Sequence, residues 1–511
     1  MPVKHQEVVV VGGGHNGLVA AAYLAKAGKS VTVLERLDYF GGAATSIEAF
    51  PGIAARLSRY SYLVSLLPQQ IIEELGLEVT VAPRRYSSFT PNPFGPGGLL
   101  IDRQDAGSTA QSFESIGSKD QQAWNDFYAK TEQLAQLLFP SVTMPLQYRS
   151  ALRGQLGELM SFLETPIGEL IENEIESDLV RGVILTDALI GTFAPNVDPA
   201  MDASKCFLYH VIGGGTGDWN IPVGGMGAVT ASMRDAAERF GARLISNAEV
   251  TGIEESGFVR YQKDGEEFEL QAGKILANIS RSELNRLMGK QTEPVSGAQV
   301  KVNMLLRRLP KLKADIDPVA AFGGTFHINE NYSQLQAAFD AACAGKIPDP
   351  LPCEIYCHSL TDPSILSEEL RNQGVQTLTV FALHTPHSLV ANSDNDQMRT
   401  RLESAVIKSL NSVLAEDIRD LLLPDTNGNP CIETKTTKDL EDALRLPGGN
   451  IFHEPLSWPF AEDDEELKNP AESWGVDSGF EKIYFCGSSA RRGGAVSGIA
   501  GHNAAMAVLE S

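Results

Sequence analysis

The chain has 511 residues, 43% of them hydrophobic and 21% charged, enough for roughly three domains of ordinary size. Its 65 acidic against 42 basic residues give a net charge of −23, a field that repels nucleic-acid phosphates and anionic headgroups, so nucleic acid is not an expected partner. No apolar run approaches the roughly 18 residues of a membrane-crossing helix, and no exporting leader is expected ahead of residue 8, so the chain reads as cytoplasmic. Six scattered cysteines do not make a disulfide framework. Their one cluster, Cys353-Glu-Ile-Tyr-Cys357, reads as strand alternation, and no metal site is expected.

The first forty residues predict strand, turn, helix, strand: residues 7–11, a glycine turn, a helix over 16–27 stopped by Gly28, and a strand over 30–34. Gly12-Gly-Gly14-His-Asn-Gly17 is a G-x-G-x-x-G between strand and helix. The first glycine allows the tight turn, the second lets the backbone approach a pyrophosphate, and the third lets the helix pack closely. The helix N-terminus adds unpaired N–H groups and positive potential. Glu35 ends the second strand, 21 residues after Gly14, where a carboxylate accepts hydrogen bonds from ribose hydroxyls. A second glycine pair, Gly41-Gly42, follows at once and suits a cofactor lying extended along the domain, as FAD does.

From residue 108 to about 191 the pattern becomes amphipathic helix. Trp124, Phe127, Tyr128, Leu134 and Leu138 share one stripe, and Ser118-Lys-Asp-Gln121 offers a capping box ahead of it. Residues 62–77 are apolar enough for core, for a substrate mouth, or for a peripheral membrane contact. Glycine is dense again over 213–227, followed by a helix over 228–240 and strands from 243 to about 276. The segment 213–217 lacks the third glycine in register for a second nucleotide domain and reads as loop, so electrons are expected to leave to oxygen, a quinone or another carrier. Strands such as 376–383 and helices such as 397–414 alternate up to about residue 440. The acidic run 462–466 reads as a solvated loop. The end repeats the opening grammar: strand 482–486, glycine loop 487–501, helix.

The layout of Glu35, Arg36, Phe40 and Gly41-Gly42-Ala43-Ala44-Thr45 resembles the N-terminal motif of the FAD-dependent amine-oxidase and phytoene-desaturase superfamily. Pro222-Val-Gly-Gly-Met-Gly, a helix and Asn247-Ala-Glu-Val250 resemble its middle segment, and Gly487-Ser-Ser-Ala-Arg-Arg-Gly-Gly-Ala-Val-Ser-Gly498 its flavin loop. Stretches 15–23, 58–65 and 446–453 are similar to a branch that includes bacterial phytoene dehydrogenase-like proteins. Two departures stand out: Ser58-Arg59-Tyr60 replaces an acidic-x-Gly, and Arg491-Arg492 replaces His-Pro, both where a carotenoid desaturase meets its flavin. The resemblance implies an α/β fold: a Rossmann-like FAD domain of the glutathione-reductase type from residues 1–70, 215–290 and 440–511. A helical insertion (71–214) and an α+β segment (291–439) would form the substrate domain. It implies FAD contacts from Gly12, Gly14, His15, Asn16, Gly17 and Glu35, from Arg36 and residues 41–45, from Val250, and from Gly487, Ser488, Arg492, Gly494, Val496 and Ser497.

Flavin chemistry needs position and dryness more than an elaborate side-chain constellation. His453 is the first candidate for a polar pocket residue; the alternative is a histidine bonded to a nearby carbonyl. Arg59 and Tyr60 are candidates for contact with substrate or flavin, though Arg59 has many carboxylates to pair with. Arg491 and Arg492 follow the flavin loop, where a cation stabilises a reduced anionic flavin; one of them is expected to be solvated. These residues together point to an FAD-dependent dehydrogenase or desaturase of an apolar or amphipathic small molecule. A redox-neutral flavin isomerase, an amine oxidase, and a flavoprotein scaffold without turnover are the alternatives.

Overall fold

The computed structural model describes residues 4–511. Two sheets organise it. In the first, β1 (Lys4–Val11) runs parallel to β2 (Val31–Leu34), joined by helix α1 (His15–Lys26). Strand Arg243–Ile245 extends the sheet beyond β2. On the other side β1 pairs in parallel with the long strand Glu266–Ala277, from Lys4 against Leu270 to Val11 against Ala277. The far edge of that strand has two neighbours. Phe258–Lys263 pairs antiparallel with its first half, and Ile483–Phe485 pairs parallel with its last three residues. The strands of this sheet thus come from the beginning, middle and end of the chain. Valines 8–11 are all at most 3% exposed, as expected of a strand covered on both faces.

Helix α1 lies against helices Met226–Arg239 and Ile499–Leu509. The approach to the last is set by a missing side chain: a Cβ on Gly501 would sit 2.0 Å from the carbonyl oxygen of Asn16. Backbone therefore rests on backbone where these two helices cross.

The second sheet has seven strands, mostly antiparallel, in the order Ile432–Lys435, Val300–Leu306, Gln376–Ala382, Cys353–Tyr356, Thr325–Ile328, Tyr86–Pro91 and Gly98–Asp102. Its last two strands lie within residues 71–214, so that segment is not purely a helical insertion. Phe89 explains the difference: it stacks on Phe326 at 5.7 Å, and burying it on the sheet outweighs helix formation in a stretch punctuated by Pro91, Pro93 and Pro96. Helix Asn395–Val413 covers one face. Beyond residue 105 the segment is helical, and Trp124, Phe127, Leu134 and Leu138 are buried on one face of Gln121–Leu138, with Tyr128 packed beside them.

Two local readings are corrected. Ser118 does not cap this helix; Asp120 precedes it, and its carboxylate instead accepts the N–H groups of Glu176 and Ser177 (2.9 and 2.8 Å). In the apolar stretch from residue 62 to 77, Leu63, Val64, Leu66, Leu67, Ile71 and Leu75 are buried. The acidic run is not simply solvated: Glu462 pairs with Arg149 at 2.6 Å and Glu465 with Arg491 at 2.8 Å. No helix among the described residues is long and apolar enough to cross a membrane.

Replacing Gly501 by Ala should destabilise the fold by about 1–3 kcal/mol, because helices α1 and Ile499–Leu509 must separate. At an exposed helical position the same change would stabilise by up to about 1 kcal/mol. Denaturant melts of the purified variant give the sign directly.

Candidate functional site

The parallel strands of the first sheet end at Val11, Leu34, Ala277 and Phe485, all on one edge, and a cavity opens there. Ligands of open α/β sheets bind at this carboxyl edge. Asn278 follows directly from Ala277 and sits among the glycines. Its backbone N–H donates to Val11 O (2.9 Å) and its Nδ2 to Gly12 O (3.0 Å). A Cβ on Gly12 would meet Asn278 O at 2.7 Å; one on Gly17 would meet Asn278 Nδ2 at 2.8 Å; one on Gly487 would meet Asn278 Oδ1 at 2.6 Å. The Cβ on Gly17 would lie nearer still to Gly12 O, at 2.4 Å. Gly17 therefore acts by helix packing rather than by facing the cavity.

Glu35 closes one end of the cavity. Its two carboxylate oxygens accept the N–H of Gly13 (2.7 Å) and of Leu37 (2.8 Å), which ties the glycine turn to the end of β2. Burial nevertheless outweighs these donors and holds its pKa above the usual carboxylate range. Ala248 and Asn247 bond back to Glu35 O and Leu37 O, which brings Val250 to the same end of the cavity. Asn16, 1% exposed on the cavity wall in the first turn of α1, has no partner for either amide atom among the described residues. An amide buried without partners costs free energy unless a ligand meets it.

Midway along, Gly42, Ala43, Ser488, Gly494, Ala495 and Val496 line the walls. His15 donates from Nε2 to Ala495 O (3.1 Å), linking α1 to the last glycine loop. His453 stands beside it at a left-handed φ of 65°, with Nδ1 buried and unpartnered among the described residues. Burial pushes both imidazoles down to about 4, so both are neutral at pH 7. The cavity then continues past Tyr60 and Ser61 into a chamber walled by Tyr62, Leu66, Ile190, Tyr209, Trp219 and Phe381.

The second sheet grips this junction through Lys301, 3% exposed, whose Nζ donates to Ser58 O (2.7 Å) and Ser61 O (3.1 Å). Burial pushes its pKa down to about 7.

The profile of the NAD(P)-binding Rossmann-like domain matches residues 10–69. An uncharacterized protein of Mycobacterium tuberculosis is 51% identical over 98% of this chain and 97% of its own length. The mouse pyridine nucleotide-disulfide oxidoreductase domain-containing protein 2 is 28% identical over 98% and 93%. The phytoene dehydrogenase of Streptomyces griseus is 27% identical over half of each chain. A putrescine oxidase structure shares the fold, with a TM-score of 0.58, 16% identity and 99% of each chain covered. The chain therefore belongs to one family with the mycobacterial protein, and its opening segment is a Rossmann-like domain.

Within this fold, several residues named from sequence do not face the cavity. Arg59 pairs with Glu433 at 2.6 Å, while its neighbour Tyr60 lines the wall. Arg492, 1% exposed, gives its guanidinium to the carbonyls of Ser141, Met144 and Trp474, and Arg491 is held by Glu465 and Phe460 O. Buried cations need such partners, and main-chain carbonyls of the helical segment supply them. Gly41 and Ala44 fit against Thr230, and Thr45 bonds Arg59 N–H; these shape the turn behind the wall. Gly487 abuts Asn278, and Ser497 caps Ile499 N–H.

Sequence reading missed Asn278 and every chamber residue except Tyr62 and Leu66, which it placed only within an apolar stretch. It also missed a buried trio behind the chamber: His327, Glu330 and Glu354 have ligand-type atoms within 4.8 Å of one another. A hydrogen bond of 2.5 Å between His327 Nδ1 and Glu330 Oε2, and another from Tyr356 to Glu354, account for much of this polarity.

Lys301→Met should change how stability depends on pH. The folded value of about 7 lies below the unfolded 10.5, so between these values the unfolded chain holds the extra proton. Wild-type stability therefore gains from rising pH in that window, by a contribution on the order of 3 kcal/mol that the variant lacks. Urea melts of both proteins from pH 6.5 to about 9.5 check this.

Proposed function

We propose that the chain binds one FAD noncovalently and dehydrogenates an apolar or amphipathic small molecule held in the aromatic chamber. One observation carries the reading: a single cavity runs from Glu35, past the glycine turn and Asn16, to the chamber between the sheets. The unpartnered Asn16 amide and the glycines that no Cβ could replace fit an extended dinucleotide.

In this reading Glu35 accepts hydrogen bonds from the ribose and the N-terminus of α1 faces the pyrophosphate. Val250 borders the adenine end, while Ser488 and residues 494–496 border the flavin end. Bound FAD supplies the hydride acceptor. The chain's residues supply the rest: the chamber's aromatic and aliphatic walls hold the substrate and exclude water. His453, neutral at pH 7, offers its free Nδ1 to a polar group or a proton. The last glycine loop contains no cysteine, and Cys486 is buried on the strand side, so no covalent attachment is expected. Electrons then pass to oxygen, a quinone or another carrier.

Denaturing the purified yellow protein should release free FAD in a 1:1 ratio; a folded, colourless protein that FAD cannot reconstitute ends this reading. Glu35→Ala removes two charge-assisted hydrogen bonds of about 1.5–3 kcal/mol each before water competes, so FAD affinity should fall at least about tenfold in titrations of the apo-protein. His453→Ala should keep FAD and its visible spectrum while slowing anaerobic bleaching by an active substrate. Product mass then separates loss of two hydrogens from isomerisation.

A further inference from the structure

The chamber is chemically lopsided. The carboxylates that line the cavity, Glu35, Glu249 and Glu283, all lie at the Glu35 end. Around the chamber itself, among the described residues, the walls are aliphatic or aromatic and carry no carboxylate; besides the phenol hydroxyls of Tyr62 and Tyr209, the acceptor there is the His210 imidazole.

His210 sits in the last turn of helix Asp202–Val211. Its ring lies on that of Trp219, centroids 5.0 Å apart and planes 30° apart, and Trp219 Nε1 donates to His210 O at 2.9 Å. The imidazole is therefore fixed in position. Its Nδ1 is 3.0 Å from Cys206 O. A carbonyl only accepts, so Nδ1 carries the proton. Burial pushes the imidazolium pKa down to about 4, so the ring is neutral at pH 7 and Nε2 is a bare lone pair. No donor among the described residues bonds Nε2.

We propose that His210 Nε2 is the recognition point of the chamber, for a substrate that is apolar over most of its length and carries one neutral hydrogen-bond donor, a hydroxyl. This rests on the preceding reading only in taking the chamber as the substrate site. An ammonium fits less well. It would leave water for walls that carry only neutral acceptors and no carboxylate, and deprotonating it first means working far from an amine pKa near that of lysine. A pure hydrocarbon would offer Nε2 no donor.

The test uses the full-length protein, incubated with excess FAD, and three octyl probes: 1-octanol, octyl methyl ether and octylamine, measured by calorimetric titration at pH 7. Octanol should bind about three- to tenfold more tightly than the ether, the worth of one hydrogen bond, and more tightly than the amine. His210→Phe should abolish the preference for octanol while leaving ether binding within about twofold. Equal affinity of octanol and ether for the wild-type protein overturns the proposal without any variant, and so does tighter binding of octylamine. A preference for octanol that persists in His210→Phe assigns recognition to another group and equally overturns it. FAD content is measured on the same samples. A protein that holds FAD but ignores the hydroxyl defeats this inference alone, whereas one that selects octanol yet never takes up FAD defeats the oxidoreductase reading alone.

Discussion

The crossing of three chain segments at Asn278 is the constraint on which the site depends. Gly12 and Gly17 come from the first motif, Gly487 from the last, and each would place a Cβ within 2.8 Å of an Asn278 atom. Asn278 itself continues the long central strand and bonds the main chain at Val11 and Gly12. A larger residue at any of these positions would push a strand end or the start of α1 outward. The shape of the cavity at the carboxyl edge is thus a packing consequence first and a binding feature second. The same absence of side chains that lets the segments meet also bares the backbone toward a ligand.

What could be read from sequence follows the locality of the signal. The opening strand–turn–helix–strand was legible because the glycine spacing, β-branched run and Glu35 lie within forty residues and their roles are nearly all main-chain roles. The strands at 86–91 and 98–102 were not: they pair with each other, but only the first meets Thr325–Ile328, more than two hundred residues away, and that contact joins the hairpin to the second sheet. His210, Trp219 and Phe381 share no motif and meet only because the helical segment and second sheet close on each other. His453 and Tyr60 reached the cavity wall, but nothing in their local sequence distinguishes them from Arg59 next door, which turned to Glu433.

The cations show the same division. Four basic side chains near the site, Arg59, Arg491, Arg492 and Lys301, are spent on holding segments together through a carboxylate or main-chain carbonyls. A charge removed from water must be met wherever it lies, and the nearest partners are structural. The consequence is a cavity whose interior charge is small despite the net charge of −23 on the whole chain. Specificity inside it therefore falls to neutral groups: ring faces, aliphatic walls and imidazole lone pairs.

The long strand Glu266–Ala277 accepts Ile483–Phe485 on the half of its edge that Phe258–Lys263 leaves open. Those last residues emerge from the ribosome about two hundred residues after Ala277. Until then the first glycine turn has folded against a sheet lacking one neighbour, and the loop bearing Gly494 and Val496 does not exist. The second sheet closes earlier, once residue 435 is made. The strands of the substrate wall are thus made before the last strand of the nucleotide edge, and loss of residues 483–501 would remove the cavity's second side rather than trim its margin.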